Sequence, residues 1–248
     1  MPSERHVNPS GGAELPGSGQ TRVLKRDGLG RVELVPRDGE WVIARVACGG
    51  RLPGSGLVAR QLLARERRAL ERLDGLERFP RWLGGSGSRG ERSWIEGQPL
   101  HLATALPRDF FALLRSLVED LHGRGVCHND LHKEQNILVR PDGRPALIDF
   151  QLASVHRRRG RTYRARCHDD LRHVRKHELR YERQGRPKRP DERGRVALPK
   201  RSPLAAVWRR SGKPLYNFVT RRLLRTRDGE ERRPSSGPWP VWTEPLER

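Results

Sequence analysis

Two short apolar runs flank an Asp-Gly pair near the middle of the chain. The runs are residues 137–139 and 146–148, and Asp142-Gly143 lies between them. This setting favours a two-residue hairpin turn, because a type I′ turn needs the positive φ angles that aspartate and glycine tolerate. Such a turn pairs Val139 with Ala146, and continuing the pairing outward predicts that Asn136 lies opposite Asp149, with Cβ atoms roughly 5 Å apart. The hairpin is therefore expected to hold an amide oxygen and a carboxylate together at its open end.

A helical pattern spans residues 57–73, where apolar side chains recur on one face and Glu66 falls in the middle of that face. A carboxylate directed at a core is costly unless a cation pairs with it. The strand predicted at residues 41–47 alternates so that Arg45 lies on the same face as its apolar side chains. Arg45 is therefore the expected partner of Glu66. Pairing with a different arginine, or extension of Glu66 to solvent, is the alternative.

The remaining pattern predicts further short elements on both sides of these two. Strands at residues 23–25 and 31–35 are joined by a turn that contains Gly28 and Gly30. The helix start expected near residue 168 would use Asp169 or Asp170 as its N-cap. Other expectations are a Gly/Ser-rich turn region at 82–92, a strand at 93–97, a core helix at 107–122, a linker at 183–200 and short amphipathic helices at 204–208 and 215–224.

One more carboxylate adds chemistry to the hairpin. Asp130 lies six residues before Asn136, in the segment His128-Asn129-Asp130. Oxygen ligands such as those of Asn136 and Asp149 suit Mg²⁺, which proteins hold with one or two groups together with substrate phosphates. A third carboxylate next to such a site can accept or orient the proton of a phosphoryl acceptor. The pattern indicates phosphoryl transfer.

These residues resemble the catalytic loop and Asp-Phe-Gly segment of protein kinases. The match covers Asp130-Leu131, residues 133–136 and Asp149-Phe150, with Asn129 in place of arginine and His132 inserted. Gln151 replaces the final glycine, as in the RIO-type atypical kinases. The short Asp-Leu-His loop is also similar to that of bacterial lipopolysaccharide-core (Kdo and heptose) kinases.

The resemblance implies an α+β, minimal two-lobe protein-kinase-like fold, with an antiparallel sheet and a helix in the N-lobe and a mostly helical C-lobe. It also implies ATP and Mg²⁺ as cofactors and transfer of the γ-phosphoryl group to a hydroxyl. Asp130 and Lys133 would be catalytic, and Asn136 and Asp149 would hold the metal. In kinases an aspartate at a helix start such as that of Asp169 or Asp170 can brace the catalytic loop, which is the alternative to an N-cap role. The residues expected to bind the nucleotide are Gly28 and Gly30 in the phosphate-covering turn, Arg45 with Glu66 at the α and β phosphates, and Ser93 and Ile95 at a hinge beside adenine.

Departures from the kinase pattern leave alternatives open. Arg45 stands where kinases have a phosphate-binding lysine, and Lys25 on the neighbouring strand is a second candidate for that ammonium. A nucleotide-binding pseudokinase that acts as a scaffold is one alternative function. An Asn-Asp pair that merely caps turns is another interpretation. A metal cluster of His128, Asp130 and His132 is a third.

Charge is concentrated in the last third of the chain. The 248 residues carry a net charge of +21, and residues 151–248 contain 28 Lys and Arg against 11 Asp and Glu. This excess indicates an anionic partner, although only six of the 51 basic residues are lysines, a bias typical of GC-rich bacterial genomes. The acceptor is expected to be a protein Ser/Thr or a sugar of an anionic glycolipid.

The three cysteines, Cys48, Cys127 and Cys167, show neither a disulfide framework nor a zinc spacing, which suits a reducing cytosol. Neither a signal peptide nor a transmembrane segment is predicted, so a cytoplasmic location is expected, with peripheral contact at the inner membrane as an option. The expected organisation is a disordered tail at 1–20, an N-lobe at 21–98, a C-lobe with a basic helical extension at 99–226, and a loose Pro-rich tail at 227–248.

Overall fold

A computed structural model describes residues 20–50, 53–182 and 239–246 of the chain. Its N-terminal half is an antiparallel sheet with strand order β1-β2-β3-β5-β4, packed against one helix. The elements in chain order are β1 (Arg22–Asp27), β2 (Gly30–Arg37), β3 (Glu40–Val46), α1 (Ser55–Arg72), β4 (Trp82–Ser86) and β5 (Arg89–Ser93).

Helix α1 forms where the apolar spacing predicts it. Its buried side chains follow the helical repeat, and Glu66 is buried among them at 1% exposure. Leu63 packs with Ala47 and Ala59 beneath the sheet, while Leu70 joins the main core. The helix therefore links the sheet to the C-terminal half and carries one carboxylate into the space between them.

The expected turn region at residues 82–92 is wrong, because these residues form the hairpin of β4 and β5. The inward positions of β5 are Gly90 and Arg92, neither of which is apolar. The alternation that identifies a strand is therefore invisible in the sequence here. The predicted strand at 93–97 ends at Ser93 instead.

Within the described residues, the C-terminal half is built on two long helices, α2 (Phe110–Gly123) and α3 (Arg161–Glu182), and several short strand pairings. Its core contains the inward side chains of α2, such as Leu114, Leu117 and Leu121, all fully buried. Its elements in chain order are β6 (Gln98–Pro99), β7 (Ala105–Pro107), α2 (Phe110–Gly123), β8 (Val126–Cys127), β9 (Ile137–Val139), β10 (Pro145–Leu147), β11 (Ser154–Val155), α3 (Arg161–Glu182) and β12 (Val241–Thr243), with short 3-10 helices at Leu100–Leu102, Glu134–Asn136 and Phe150–Leu152.

The predicted hairpin of β9 and β10 is present, but its register is shifted by one residue. Val139 pairs with Pro145, so the expected pairing with Ala146 is wrong. The Gly143 N–H donates to the Arg140 carbonyl, and Gly143 alone in the loop has positive φ, at 75°. Pro141 pre-sets the first φ of a type I turn, so the loop has three residues and ends in a glycine bulge.

Helix α3 begins at Arg161, seven residues before the expected start at residue 168. Its buried face carries polar side chains at helical spacing, namely Asp170, His177 and Tyr181 together with Val174. Because these residues are polar, the hydrophobic pattern does not reveal the helix. Asp170 lies in the middle of the helix, so the expected N-cap role is wrong.

The expectation of a loose C-terminal tail is wrong for residues 239–246. Strand β12 pairs in parallel with β7, so this segment is held by main-chain hydrogen bonds. The Trp239 ring lies 5.4 Å from that of Tyr181, and the Trp242 ring lies 6.3 Å from that of Phe111. The two tryptophans supply the apolar area that fixes a short strand to the core.

Several expectations lie outside the described residues: the tail up to residue 19, the linker at 183–200, both amphipathic helices and the tail up to residue 238. Among the helices that the structure describes, none combines the length and apolar character needed to span a bilayer.

Candidate active site

The loop from His128 to Asn136 connects β8 to β9 and is held from below by α3. Asp170 accepts hydrogen bonds from the main-chain N–H groups of His128 and Asn129, at 2.8 and 2.9 Å. The Asp170 carboxylate also contacts His122 Nε2 at 3.2 Å. Since Asp170 is 1% exposed, these bonds fix the start of the loop in a dry environment.

The end of the loop has a second buried anchor on α3. Glu134 accepts hydrogen bonds from Arg180 Nη1 at 2.8 Å and from the Tyr181 hydroxyl at 3.0 Å. His177 lies 2.8 Å from the Leu131 carbonyl through Nε2. Burial acts to raise the pKa of Glu134, but the interaction with His177 and the charge of Arg180 outweigh it and lower the pKa. Glu134 is therefore an ionised structural anchor.

Asp130 lies between these anchors and is surrounded by donors. Lys133 Nζ lies 3.2 Å from its Oδ2, and His132 Nδ1 lies 3.0 Å from its Oδ1. Asn136 Nδ2 donates to Oδ2 at 3.0 Å. Burial acts to raise the pKa of Asp130, but the interaction with His132 and the charge of Lys133 outweigh it and lower the pKa below the usual range. The carboxylate is ionised, and Asn136 aims it through a hydrogen bond to Oδ2. The contact of His132 with Oδ1 is within ion-pair distance but lacks hydrogen-bond angles.

Asn136 and Asp149 do not lie directly opposite each other. The shifted register makes the Asn136 carbonyl accept from the Ile148 N–H at 3.0 Å, so the predicted Asn136–Asp149 pairing is wrong. Asp149 follows with a left-handed backbone, φ 65°, which turns the chain out of the strand. Asn136 is therefore paired with Ile148, and Asp149 lies one residue further along, where the chain turns out of the strand.

The atoms left over at these two residues suit a hard cation. Asn136 donates hydrogen bonds to Asp130 through its Nδ2, so its side-chain amide oxygen is the atom that can bind a cation. Within the described residues, Asp149 Oδ1 is buried and accepts no hydrogen bond. An amide oxygen and an orphaned carboxylate oxygen are ligands that Mg²⁺ favours. The donor set fits the predicted ion.

The alternative cluster of His128, Asp130 and His132 is not supported by the geometry. His128 Nε2 lies 3.0 Å from the Ile148 carbonyl, and its ring lies 4.7 Å from that of Phe150. His128 therefore supports the Asp149-Phe150 segment and does not converge with His132.

Glu66 pairs with two arginines of the sheet, one predicted and one not. Arg45 Nε lies 3.3 Å from Glu66 Oε2, which confirms the expected pairing, and Arg92 Nε lies 3.1 Å from Oε1. These contacts are within ion-pair distance but lack hydrogen-bond angles. Burial lowers the pKa of Arg92, against the charge of Glu66 that raises it. The sequence carries no signal for Arg92, because the inward positions of β5 hold no apolar residue that would mark the strand.

Arg45 also reaches the other side of the cleft. Its Nη2 lies 3.7 Å from Asp149 Oδ1. Lys25 lies on the same face of the sheet, because Lys25 pairs with Val32 on β2 and Val32 pairs with Arg45 on β3. Two strand spacings put the Cα atoms of the two residues about 10 Å apart along this row.

The predicted phosphate-covering turn is a tight two-residue hairpin turn. Asp27 Oδ1 accepts from the N–H groups of Leu29 and Gly30, at 2.9 and 3.1 Å. A Cβ at Gly30 would lie 2.0 Å from the Val46 carbonyl oxygen, so glycine is required there for close approach of the chain. The role of Gly28 and Gly30 at phosphates stays a prediction.

The predicted hinge lies where β5 leaves the sheet. The Ser93 N–H donates to the Arg81 carbonyl at 2.9 Å, and its hydroxyl oxygen accepts from the Arg81 N–H at 2.9 Å. Ile95 follows in an irregular segment before β6 and is half-buried. The contact of Ser93 and Ile95 with adenine stays a prediction.

Comparison with known proteins agrees with this architecture. The fold is similar to that of the Rio2 kinase of Chaetomium thermophilum, solved as an ADP/Mg²⁺-phosphoaspartate complex, with a TM-score of 0.52 and 19% identity over 79% of this chain and 66% of that one. A curated protein named "Probable SapB synthase", from Streptomyces coelicolor, is 37% identical in an alignment of 135 residues that covers 44% of this chain.

The chain spans only 14% of the length of that curated protein. No family model matches the chain. The structural likeness, the antiparallel N-terminal sheet with α1 and the helical C-terminal half together confirm the expected fold class. The chain has a protein-kinase-like fold.

Proposed function

We propose that this protein is an ATP- and Mg²⁺-dependent phosphotransferase that transfers the γ-phosphoryl group to a hydroxyl. The observation that carries the proposal is Asp130, a buried, ionised carboxylate contacted by Lys133, His132 and Asn136. A turn-capping role for Asn136 and Asp149 does not account for three donors converging on one carboxylate. Phosphoryl transfer does, because it needs an oriented acceptor group and compensation of charge.

Asp130 would accept the proton of the acceptor hydroxyl. The hydroxyl oxygen then bonds to the γ-phosphorus while the bond from that phosphorus to the bridging oxygen of ADP breaks. Lys133 lies 3.2 Å from Asp130 Oδ2 and would offset the negative charge of the transferred group. Asn136 aims the carboxylate through its Nδ2.

Asn136 and Asp149 would hold Mg²⁺ through the amide oxygen and the orphaned Oδ1. When bound, the ion supplies charge neutralisation at the β and γ phosphates. Arg45 lies between Glu66 and Asp149 and would direct its guanidinium at the α and β phosphates. The turn with Gly28 and Gly30 would cover these phosphates.

Adenine would lie against the segment from Ser93 to Ile95, between the sheet and the C-terminal half. We propose a protein Ser/Thr as the acceptor. Support for this choice comes from the fold likeness to a Rio2 kinase. A glycolipid acceptor becomes the conclusion if the label described below enters lipid.

Thermal unfolding with and without ATP and Mg²⁺ tests nucleotide binding without knowledge of the acceptor. Nucleotide at 100 times its Kd should stabilise the protein by about 2.7 kcal/mol, which is roughly 5–10 °C at this chain length. Asp149→Ala should abolish the magnesium-dependent part of the shift, whereas Asp130→Ala should keep it. A shift of equal size without magnesium, or no shift at all, contradicts the proposal.

Transfer itself is measured with γ-labelled ATP, by separating protein from lipid after incubation with a cell extract. Label in wild-type samples that is lost with Asp130→Ala supports the proposal. Nucleotide binding without any incorporation, equal in wild type and Asp130→Ala, would instead indicate a nucleotide-binding scaffold.

A further inference from the structure

Three potential metal ligands meet directly behind the catalytic loop and have no part in the proposed reaction. Cys127 ends β8, Cys167 lies on α3, and His122 lies on α2. Cys127 and His122 are buried, and Cys167 is half-buried. One ring nitrogen of His122 and the two sulfurs lie within 4.8 Å of one another. Three separate elements therefore place one imidazole nitrogen and two sulfur atoms close enough together to bind one ion.

The spacing matches a tetrahedral ion. Zn–S bonds of about 2.3 Å place two thiolate sulfurs about 3.8 Å apart, and Cys127 Sγ lies 3.7 Å from Cys167 Sγ. Asp170 adds a carboxylate beside the histidine, with Oδ2 at 3.2 Å from His122 Nε2. Asp170 can be a fourth ligand or the carboxylate that orients a ligating histidine, and both are usual in zinc sites.

A disulfide explains less of this arrangement than a metal does. A disulfide needs only two sulfurs at about 2.05 Å, and it leaves the convergence of His122 and Asp170 without a reason. Binding a divalent ion would release the thiol protons of Cys127 and Cys167 to solvent, as structural zinc sites do.

We propose that His122, Cys127 and Cys167 form a binding site for Zn²⁺, with Asp170 beside the ion. Thiolate and imidazole donors select zinc over the Mg²⁺ expected at Asn136 and Asp149, which offer only oxygens. The same Asp170 carboxylate holds the main-chain N–H groups of His128 and Asn129. The ion would tie α2, β8 and α3 together and fix the start of the catalytic loop.

Cobalt titration of the reduced, metal-free full-length chain tests the site, because thiolate-bound Co²⁺ absorbs strongly in the near ultraviolet. We expect one Co²⁺ per chain with this band, displaced by Zn²⁺. The chain has three cysteines, and the third, Cys48, is exposed in the N-terminal half, so Cys48→Ser is the matched control. Wild type and Cys48→Ser should behave alike, while Cys127→Ser and Cys167→Ser lose the band and bind Zn²⁺ at least about 100-fold more weakly.

Absence of the band in the wild type overturns the proposal, and so does a band that persists in both Cys127→Ser and Cys167→Ser. Should Cys127→Ser fail to fold by circular dichroism, Cys167→Ser decides, because this side chain is only half-buried. Recovery of a Cys127–Cys167 disulfide from a chain whose reduced form binds no Co²⁺ would also overturn it. Amide hydrogen exchange at residues 128–129 should slow on addition of Zn²⁺, and unchanged exchange would contradict the coupling to the loop.

Discussion

The two sides of the proposed nucleotide cleft are held by different forces. On the C-terminal side, buried side chains of α3 bond to the loop at short distances, as Asp170 does to two main-chain N–H groups. On the N-terminal side, Glu66 attracts Arg45 and Arg92 without hydrogen-bond geometry. Hydrogen bonds constrain the direction and length of a contact, whereas charge attraction mainly requires that the partner carry the opposite charge. The C-terminal side of the cleft is therefore the directional side, and the N-terminal side is the ionic side.

This difference bears on one departure from the kinase pattern, Arg45 in place of a lysine, whereas the departures at Asn129, His132 and Gln151 lie on the C-terminal side. Asp130, Asn136 and Asp149 match the pattern on the side that directional bonds hold. Arg45 departs from it on the side that charge holds, since a guanidinium satisfies Glu66 as an ammonium would. We therefore expect exchanges of one donor for another to lower the activity strongly on the C-terminal side and to have smaller effects on the N-terminal side.

Asp130→Asn should have the largest effect. Removing a general base typically costs 10²–10⁴-fold in rate, so transfer should fall by about that factor while the ATP-dependent thermal shift is kept. Label incorporation and thermal unfolding measure the two quantities. Asp142→Asn, at an exposed carboxylate of the β9–β10 loop, is the control and should retain wild-type transfer. Retention of half or more of the wild-type rate in Asp130→Asn would remove Asp130 from the chemistry.

Glu66→Gln tests the ionic side through stability. The substitution leaves two largely buried guanidinium groups, with side-chain exposures of 17% and 10%, without their anion. Breaking a buried pair by removing one partner costs about 3–5 kcal/mol, which urea unfolding can measure.

The matched double variant Glu66→Gln with Arg92→Met should recover about 1–3 kcal/mol of that loss, because one uncompensated charge is removed. If the two substitutions add without any recovery, the attraction between Glu66 and Arg92 does not stabilise the fold.

The sequence predicts the ionic side better than the directional side. Glu66 and Arg45 are found by periodicity alone. Glu66 falls in the middle of the apolar face of α1, and Arg45 lies on the same face of β3 as the apolar side chains of that strand. Arg92 is missed, since its strand has no apolar inward residue to reveal the alternation. No hydrophobic pattern marks Asp170, because α3 buries polar side chains, and only the resemblance to kinases suggests that an aspartate there braces the loop.

The hairpin shows the same limit at finer scale. The Asp142-Gly143 pair predicts the turn correctly, but Pro141 selects a three-residue loop and so shifts the register by one. The Cys127–Cys167 contact joins residues 40 positions apart in the chain. Such proximity depends on tertiary packing of α3 and leaves no local spacing to read.

A comparison of Lys25→Ala with Arg45→Ala tests which of the two cations contacts the phosphates. Arg45 already neutralises Glu66 and approaches Asp149, whereas Lys25 lies exposed on the same face two strands away. We expect Arg45→Ala to weaken ATP binding about 10-fold, in line with a lost hydrogen bond to a charged group, and Lys25→Ala to weaken it less. Isothermal titration measures both affinities, and Arg26→Ala, a neighbouring exposed cation on β1, serves as the control. The opposite ranking would move the phosphate role from Arg45 to Lys25.

Arg45→Lys should have the smallest effect, because it keeps the sign of the charge that Glu66 and Asp149 meet and changes only its shape. A lysine can contact one of these carboxylates as a point charge, so we expect stability to fall by about 1 kcal/mol and transfer to change by no more than about threefold. Lys133→Arg is the matched exchange on the directional side, where Nζ lies 3.2 Å from Asp130 Oδ2 and a planar fork cannot take the same position. Its transfer rate should therefore fall at least ten times further than that of Arg45→Lys. Equal losses for the two exchanges would mean that both sides of the cleft demand a defined donor geometry, and the contrast between directional and ionic support would be wrong.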